Sequence, residues 1–378
     1  MYKPPVGRLS LFRSPGEALR ALLESYGWSQ EQFGIITGRS RQTIAQILAG
    51  NSGITAEMAV VLGAAFGIDA GEWMELEARH RLSQVGMGGA DVEKRAKVYG
   101  KIPIRDAQRR GWITESSDVE ELETDIKRFL RIESIDDDPS LSVATKRPGE
   151  PNTPLSPSQL AWCARARELG ELIEVRPFSP ASADSIESEL RKLAAYPKEA
   201  RYLSKVLGEH GVRLVVVEPL PGAKIDGAAL WLNEKAPVIA ISVRFDRVDF
   251  FWFTLMHEWW HIRKGDVFSV DTELVDPSRA PASVNEMEAR ANLEAAARLI
   301  PSAELDSFIQ RVSPLYSRQR IIQFAHRMKI HPGIIVGQLQ HRREVGFSTL
   351  RDLLVKVRDS VTATALTDGW GAIAPTLP

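Results

Sequence analysis

The chain is organised around residues 249–261, Asp-Phe-Phe-Trp-Phe-Thr-Leu-Met-His-Glu-Trp-Trp-His, where an H-E-x-x-H motif ends a strongly apolar run. Each helical residue advances by about 100°, so His257 and His261 would share one face, one turn apart. Two imidazoles at that spacing can bind one Zn²⁺, and Glu258 beside them can take a proton from an attacking water. The apolar lead-in predicts a buried helix. The alternative is a buried helix whose histidines only make hydrogen bonds.

A third ligand is available downstream, in an alanine-rich segment that favours a helix and begins Asn-Glu-Met-Glu-Ala-Arg-Ala-Asn at residue 285. We prefer Glu288, because Asn292 lies four residues on and can accept the outer N–H of a ligating histidine. Glu286 and Glu294 are rival ligands, and Glu288 could instead be a solvated helix charge. With the two histidines, Glu288 completes the two-His, one-Glu set of a catalytic zinc.

The block from about residue 211 to residue 301 resembles the ImmA/IrrE family of metallopeptidases. The resemblance is carried by the H-E-x-x-H motif, by the E-x-x-A-N of Glu288, Ala291 and Asn292, and by Leu-Ile-Pro at 299–301.

The resemblance implies a gluzincin-like zinc endopeptidase in which His257, His261 and Glu288 hold the metal. Glu258 is then the general base. The chain departs from the family pattern at Trp260, where most relatives have a small residue, and a bulky ring there could narrow the cleft.

The sequence His-Pro-Gly-Ile-Ile-Val-Gly at 331–337 resembles the closing motif of long proteins that join a helix-turn-helix to an ImmA/IrrE domain. In a catalytic role His331 would donate to the oxyanion of the transition state. The alternative for His331 is a turn or helix-start contact. Tyr316 and Arg343 are weaker candidates.

Three β-branched or apolar runs precede the motif, at 212–218, 228–232 and 237–243, and predict strands. We expect a small antiparallel sheet. Its edge is expected at 228–232, where an extended substrate could pair with the backbone.

Residues 14 to about 85 are predicted to form five short helices, because residues typical of helix N-termini recur along this segment. Ser29 and Gln32 form a capping box, and Ser40 caps the next helix after a glycine-bearing turn. Helix, turn and helix is the plan that places the early residues of the second helix in the DNA major groove. Ile44 and Ile47 would face the core. The side chains predicted to contact DNA are Arg39, Ser40, Arg41, Gln42, Thr43 and Gln46.

Residues 15–82 are similar to the XRE-type helix-turn-helix domain of HigA-like antitoxins. The matching words are Pro-Gly-Glu at 15–17, Trp-Ser-Gln at 28–30, Arg-Gln-Thr-Ile at 41–44, Ile-Leu-Ala-Gly at 47–50 and Thr-Ala-Glu at 55–57, with Trp73 as the family's helix-five tryptophan. The resemblance implies DNA binding. The alternative is a helical bundle with no DNA role, which the equal charge favours: residues 1–85 hold eight Lys or Arg and eight Asp or Glu.

Composition bounds the class of protein. The 378 residues include 48 basic and 49 acidic side chains, so net charge alone points neither to nucleic acid nor to a membrane. The single cysteine, Cys163, excludes an intrachain disulfide and fits a reducing compartment. The first residues lack a signal-peptide core, and no run approaches the roughly 20 apolar residues of a membrane span. We therefore expect a cytoplasmic protein without membrane association.

The length predicts two or three domains. We place a helix-turn-helix domain at 1–88, a helical connector with a proline-rich loop (136–158) at 89–207, a peptidase-like domain at 208–350 and a tail at 351–378. Helices are expected near 118–130, 159–173, 185–207, 303–312 and 317–327. The tail beyond residue 357 is expected to be loose.

These features predict an α+β, mainly helical fold: a five-helix helix-turn-helix domain, a helical connector and a gluzincin-like domain with a small antiparallel sheet. The predicted function is a homodimeric transcriptional regulator that binds double-stranded operator DNA and carries a zinc-dependent endopeptidase acting on a partner protein. The alternative is an antitoxin or regulator whose peptidase-like domain is a zinc-bound sensor, or a scaffold for a partner repressor or toxin, with little turnover.

Overall fold

The computed structural model describes residues 9–85, 88–139, 155–266, 269–272 and 286–370. It is mainly helical with one small mixed sheet. The chain forms two compact units, one ending at Lys94 and the other starting at Arg95.

The N-terminal unit contains the five predicted helices. They are α1 (Pro15–Tyr26), α2 (Gln30–Thr37), α3 (Arg41–Leu48), α4 (Ala56–Phe66) and α5 (Ala70–Gln84), and a sixth helix, α6 (Gly88–Lys101), crosses the boundary between units. The predicted caps at Ser29 and Ser40 are confirmed: each side chain accepts a hydrogen bond from the first turn of the following helix, and the side chains of Ser14 and Thr55 do the same for α1 and α4. Local start signals therefore set the helix boundaries here.

The remaining elements belong to the C-terminal unit. Its helices are α7 (Ile104–Arg109), α8 (Val119–Leu130), α9 (Pro157–Glu171), α10 (Ala183–Leu193), α11 (Leu203–Glu209), α12 (Val248–Lys264), α13 (Glu286–Leu299), α14 (Ser302–Val312), α15 (Arg318–Met328), α16 (Pro332–His341) and α17 (Arg358–Thr362). Its strands are β1 (Arg213–Val216), β2 (Ile225–Trp231), β3 (Pro237–Ile241), β4 (Ser269–Thr272) and β5 (Leu366–Thr367).

The sheet has the order β4-β2-β3-β1-β5, and it is mixed. The prediction of an antiparallel sheet is wrong, because β3 inserts beside β1 and runs parallel to it, as does β5. Only β2 pairs antiparallel, with β3 on one side and β4 on the other. The predicted edge at 228–232 is wrong for the same reason: β2 lies inside the sheet, and β4 is the outermost strand on that side among the described residues.

Both faces of the sheet are buried, and its side chains alternate between two cores. Val215, Leu230 and Ala240 pack in the core that contains α9, whereas Val216 and Ile239 pack in the core that contains α12. A strand buried on both faces needs a continuous apolar run, which explains the apolar composition of 237–241. The segment predicted as a connector contributes α6–α9 to the first of these layers.

Two further expectations require correction. The single helix expected near 185–207 is broken, because Pro197 begins a 3-10 helix (Pro197–Tyr202) between α10 and α11. The described part of the tail, residues 351–370, is ordered: β5 pairs with β1, and Val361 and Ala365 are buried. Of the proline-rich loop, residues 140–154 lie outside the described residues, and Pro157 already starts α9 behind a capping box formed by Ser156. Within the described part of the chain, no helix is long and apolar enough to cross a membrane.

Candidate metal centre and DNA-facing helix

Helix α12 presents one row of side chains spaced four residues apart: Asp249, Phe253, His257 and His261. The helix packs between the sheet and α13. The side chains of His257, Glu258 and His261 are wholly buried. The apolar run thus places three ionisable side chains in the interior, as the sequence predicts. Buried groups of this kind require a partner or a ligand.

The structure brings the three predicted ligands together. His257 Nε2 lies 3.2 Å from Glu288 Oε2 and 3.0 Å from His261 Nε2. His261 Nε2 lies 3.7 Å from the same carboxylate oxygen. The Glu288 side chain keeps 27% of its surface exposed, so the cluster opens to solvent on the α13 side.

These spacings fit a metal ion. Tetrahedral bonds of about 2.0–2.1 Å place neighbouring ligand atoms roughly 3.3 Å apart. The three observed separations, 3.0, 3.2 and 3.7 Å, scatter around that value. His257, His261 and Glu288 can therefore hold one metal ion, each through a single atom.

Asp266 is the functional residue that sequence reasoning missed. Its Oδ2 lies 3.0 Å from His261 Nδ1, and it is nearly buried. When His261 donates from Nδ1 to this carboxylate, the Nε2 lone pair faces the cluster, as a metal ligand must.

Local chain geometry explains how Asp266 reaches the histidine. Gly265 ends α12 in the left-handed conformation, with φ 71°, and the next amide, of Asp266, donates to the carbonyl of His261 at 3.0 Å. The Trp231 indole also donates to the Asp266 carbonyl, at 2.7 Å. A Gly-Asp pair directly after the helix was the available sequence signal.

Glu258 faces the sheet at Gly227 of β2. A Cβ at position 227 would lie 2.4 Å from Glu258 Oε1 and 2.8 Å from Thr254 Cγ2. Only glycine therefore leaves the space that this carboxylate occupies. The charge of Glu258 also reaches Cys163 on α9, whose thiol pKa is raised by burial first and by this carboxylate second.

A shared carboxylate ties α10, α12 and α13 together on the side away from the ligands. Glu187 Oε1 accepts from the Trp259 indole at 3.0 Å, from Arg263 at 2.7 Å and from Arg298 at 2.8 Å. This junction fixes α13 against α12 and so helps to hold Glu288 at the histidines.

The other predicted residues near the cluster differ from expectation. Glu294 is paired with Arg298, which lowers its pKa, so it is engaged away from the histidines. The side chain of Glu286 lies outside the described residues. The hydrogen bond predicted for Asn292 is not made: its Oδ1 is buried and has no hydrogen-bond partner among the described residues. Trp260 is buried and packs edge-on against the His261 ring, with centroids 5.1 Å apart.

The structure does not bring His331 to the cluster. Its Nδ1 accepts from Gly333 at 3.1 Å, its amide donates to Ala194, and burial lowers its pKa. Gly333 packs against Val248, which precedes His257 by nine residues, or about 13 Å along the helix. These contacts support the alternative role for His331, at the start of a helix.

The two weaker candidates also lie in other surroundings. The Tyr316 hydroxyl donates to Glu344 at 2.6 Å, and Arg343 is exposed just after α16. Neither makes a described contact with the cluster.

In the N-terminal unit, α3 buries Ile44 and Ile47 and exposes most of its predicted DNA-reading side chains. Arg39, Arg41, Gln42 and Gln46 are exposed, whereas Thr43 is half-buried. The hydroxyls of Ser40 and Thr43 bond each other at 2.8 Å and form part of the helix cap. The two arginines and two glutamines are therefore the predicted DNA-reading side chains that are exposed and take no part in the helix cap.

Close backbone packing fixes this surface. A Cβ on Gly16 would lie 2.5 Å from the Ile47 carbonyl, and one on Gly34 would lie 2.9 Å from the Arg39 carbonyl. Both glycines let neighbouring segments of the backbone approach closely. Gly38 supplies the left-handed residue of the turn between α2 and α3, with φ 66°.

Comparison with known proteins identifies the N-terminal unit. Residues 19–73 match the family model described as helix-turn-helix. No curated protein matches the chain, and no solved structure does. The chain thus carries a helix-turn-helix domain, which suggests DNA binding and transcriptional regulation, while the resemblance of the C-terminal unit to ImmA/IrrE peptidases stays a prediction from its residues.

Proposed function

We propose that the protein is a transcriptional regulator that binds operator DNA through α3 and carries a zinc-dependent endopeptidase in its C-terminal unit. The observation that carries the enzymatic part is the mutual spacing of three donors, two of them wholly buried, at the separations expected around a tetrahedral metal. The DNA part is supported by the helix-turn-helix match and the exposed side chains of α3. A homodimer reading two half-sites is the expected arrangement.

The donor set favours zinc among biological metals. Two imidazoles and one carboxylate are the protein ligands of many catalytic zinc sites, which keep a fourth position open. When bound, zinc acts as a Lewis acid towards a peptide carbonyl and an attacking water. Asp266 holds the His261 ring in the orientation and tautomer that ligation requires.

In this proposal Glu258 moves the protons. It follows a ligand directly in sequence but is not one of the three clustered donors. As general base it takes a proton from the attacking water, and as general acid it delivers a proton to the leaving amine. Gly227 leaves the space for its carboxylate. An extended substrate would pair with the outer edge of β4, the strand that follows the metal helix.

The second candidate is a regulator whose C-terminal unit is a zinc-bound sensor or partner-binding scaffold. The burial of Glu258 and Trp260 favours it, because a general base must reach the substrate. Antitoxin function belongs to this alternative, with a toxin as the partner.

One experiment separates the two candidates. The full-length protein, wild type and Glu258→Gln, is loaded with zinc and incubated with the proteins encoded beside its own gene. The enzyme proposal expects a partner to be cleaved by wild type and spared by the variant. Binding of a partner without cleavage by either protein would favour the scaffold and count against the enzyme. A selection from random DNA duplexes with the same preparation tests operator binding independently.

A further inference from the structure

The basic side chains of the C-terminal unit are concentrated near its end. Residues 311–356 hold nine Lys or Arg and two Asp or Glu, although the whole chain has 48 basic and 49 acidic residues. Seven of the nine are arginine, whose planar guanidinium binds phosphate or carboxylate through two parallel hydrogen bonds. A local excess of one sign of charge attracts a partner of the opposite sign.

Two contacts determine how α14 packs against α15. Arg327 pairs with Glu304 at 2.9 Å, and the rings of Phe308 and Phe324 stack with their centroids 4.3 Å apart. The first contact joins the start of α14 to the end of α15, and the second joins the middles of the two helices. The helices are therefore antiparallel, and the end of α14 lies at the start of α15.

This packing places two arginines side by side. Arg311 lies seven residues after Glu304, and Arg320 lies seven residues before Arg327. Seven residues are about two helical turns, so each arginine is on the same helix face as its counterpart in the ion pair. Opposite charges thus meet at one end of the helix pair, and two positive charges meet at the other. Arg311 and Arg320 are both exposed, and Arg311 also donates to the Ser307 hydroxyl.

Two further contacts bring the chain after α16 to the same place. The Tyr316 hydroxyl, in the connection between α14 and α15, donates to Glu344 at 2.6 Å. Arg318, the first residue of α15, pairs with Asp352. Both acidic residues of 311–356 are engaged by these contacts.

An exposed arginine directly precedes each of these two carboxylates in the sequence, Arg343 in one case and Arg351 in the other. With Arg311 and Arg320 they lie around the connection between α14 and α15, and we call these four residues the arginine corner. In the part of the chain that the structure describes, none of the four has a carboxylate partner. Positive charges held together in this way repel one another, and a bound polyanion relieves the repulsion.

The rest of the chain favours DNA as that polyanion. Contacts with phosphates supply a large share of the affinity of proteins for DNA and set their orientation on the duplex. The helix-turn-helix domain has no excess of positive charge for this purpose, because residues 1–85 hold as many acidic as basic side chains. Exposed guanidinium groups elsewhere in the chain can supply the phosphate contacts.

We infer that the arginine corner binds the phosphate backbone of double-stranded DNA, without reading its sequence, as a second DNA contact of the full-length protein. The inference rests on the DNA-binding part of the proposed function and does not depend on the metal. Each phosphate neutralised releases counterions, so each contact should steepen the fall of log affinity with log salt concentration by about 0.9.

Salt titrations of the full-length protein test the inference. Binding to a fluorescent duplex of mixed sequence, about 40 base pairs long, is measured by anisotropy between about 50 and 200 mM KCl. The corner variant combines Arg311→Gln, Arg320→Gln, Arg343→Gln and Arg351→Gln.

A matched control has the same net charge as the corner variant. It removes four exposed arginines on or directly after α7 and α8, helices that pack in the core on the other face of the sheet from α14 and α15. The control variant combines Arg105→Gln, Arg109→Gln, Arg128→Gln and Arg131→Gln.

The corner variant should reduce the salt slope by about 3 to 4, whereas the control variant should keep the wild-type slope. Over the fourfold range of salt, the wild type should therefore lose roughly a hundredfold more affinity than the corner variant. Circular dichroism checks that each variant is folded. If the corner variant does not fold, Arg320→Gln with Arg343→Gln should reduce the slope by about 2, against Arg105→Gln with Arg128→Gln as the control.

Equal slopes for the wild type and the corner variant would overturn the inference. An equal reduction in the corner and control variants would also overturn it, because net charge alone would then explain the binding.

Polyglutamate distinguishes the other class of anionic partner. If it binds the wild type more tightly than the duplex does, and the corner variant loses this binding, the corner serves an acidic protein segment and its assignment to DNA is wrong. The operator selection fails independently: if no preferred sequence emerges while the salt slopes behave as expected, operator reading by α3 is contradicted and the arginine corner stands.

Discussion

Helix α3 carries its predicted functional side chains on a solvent-exposed face, whereas helix α12 carries them on a buried face. In α3 the polar side chains are exposed and the buried ones, Ile44 and Ile47, are apolar. In α12 the motif is inside: His257, Glu258 and His261 have no exposed surface. In α3, therefore, the side chains proposed to function differ from those that pack in the core. In α12 the side chains proposed to function are themselves part of the core.

The coupling has an energetic cause. A polar or charged group removed from water is destabilising unless its hydrogen bonds or charges are compensated. In α12 the compensation comes from Glu288 and Asp266, and a bound metal would add to it. Substitutions of the α12 histidines should therefore alter metal binding and stability together, whereas substitutions of the exposed α3 side chains should alter DNA affinity alone.

The largest effect is expected for Glu288→Ala. The variant loses one of three zinc ligands, which is worth about 3–5 kcal/mol if a binding free energy of about 10–16 kcal/mol is shared among them. Inductively coupled plasma mass spectrometry after mild purification should find the zinc gone. The matched control is Glu286→Ala, which should keep it. A Glu288→Ala protein with full zinc content would remove Glu288 from the ligand set.

Glu258→Gln comes next. The change keeps the size of the side chain but removes the base, so cleavage of a partner should fall by about 10²–10⁴-fold. Zinc content and DNA affinity should not change. If cleavage relieves repression, a reporter in cells should stay repressed.

The same reporter can contradict the enzyme. A response that Glu258→Gln leaves intact and Glu288→Ala destroys would make the metal structural or sensory, and the regulator without turnover would be the better account.

A smaller effect is expected for Asp266→Ala. Loss of the carboxylate behind His261 should weaken zinc binding by about 10–100-fold, measured by competition with a chelator. Asp266→Asn keeps an acceptor for Nδ1–H and should lie between the alanine variant and wild type. Equal zinc affinity in all three proteins would show that the 3.0 Å contact does not orient the ligand.

The smallest effect is expected in α3. Arg41→Ala should cost about 1–3 kcal/mol at a selected operator, because we propose that its exposed side chain reads a base edge. Its thermal stability should hardly change, since surface substitutions stay within about 0.5 kcal/mol. Arg79→Ala, which removes the same charge from α5, should keep the operator preference. If Arg41→Ala and Gln42→Ala together leave operator affinity unaltered, α3 is not the reading helix.

The two regions also differ in how far their structure could be predicted. In the N-terminal unit, Ser29, Ser40 and Thr55 start helices through contacts three residues away, so local sequence determines the boundaries. In the C-terminal unit, the ligand set was predicted because His257 and His261 share a helix face and Glu288 had a recognisable sequence context. The bond from His261 to Asp266 depends on the left-handed turn at Gly265, which periodicity does not reveal.

The errors come from pairings that are distant in sequence. Short turns between three apolar runs suggest an antiparallel meander, but β3 pairs in parallel with β1, and β2 becomes an interior strand. The order of the tail comes from contacts with distant parts of the chain, so the local sequence does not predict it. Strand β5 pairs with β1, and Arg110 forms a buried ion pair with Asp368. Such contacts leave no local periodic signal.

The measurement that tests the central claim most directly is the metal content of the purified full-length protein, determined beside the His257→Ala, His261→Ala double variant. The account predicts about one zinc per wild-type chain and none in the variant, with DNA binding by the helix-turn-helix unit kept in both. A wild-type protein that folds, binds DNA and takes up no zinc when it is supplied would contradict it, and the buried histidines would then be a hydrogen-bonded part of the core.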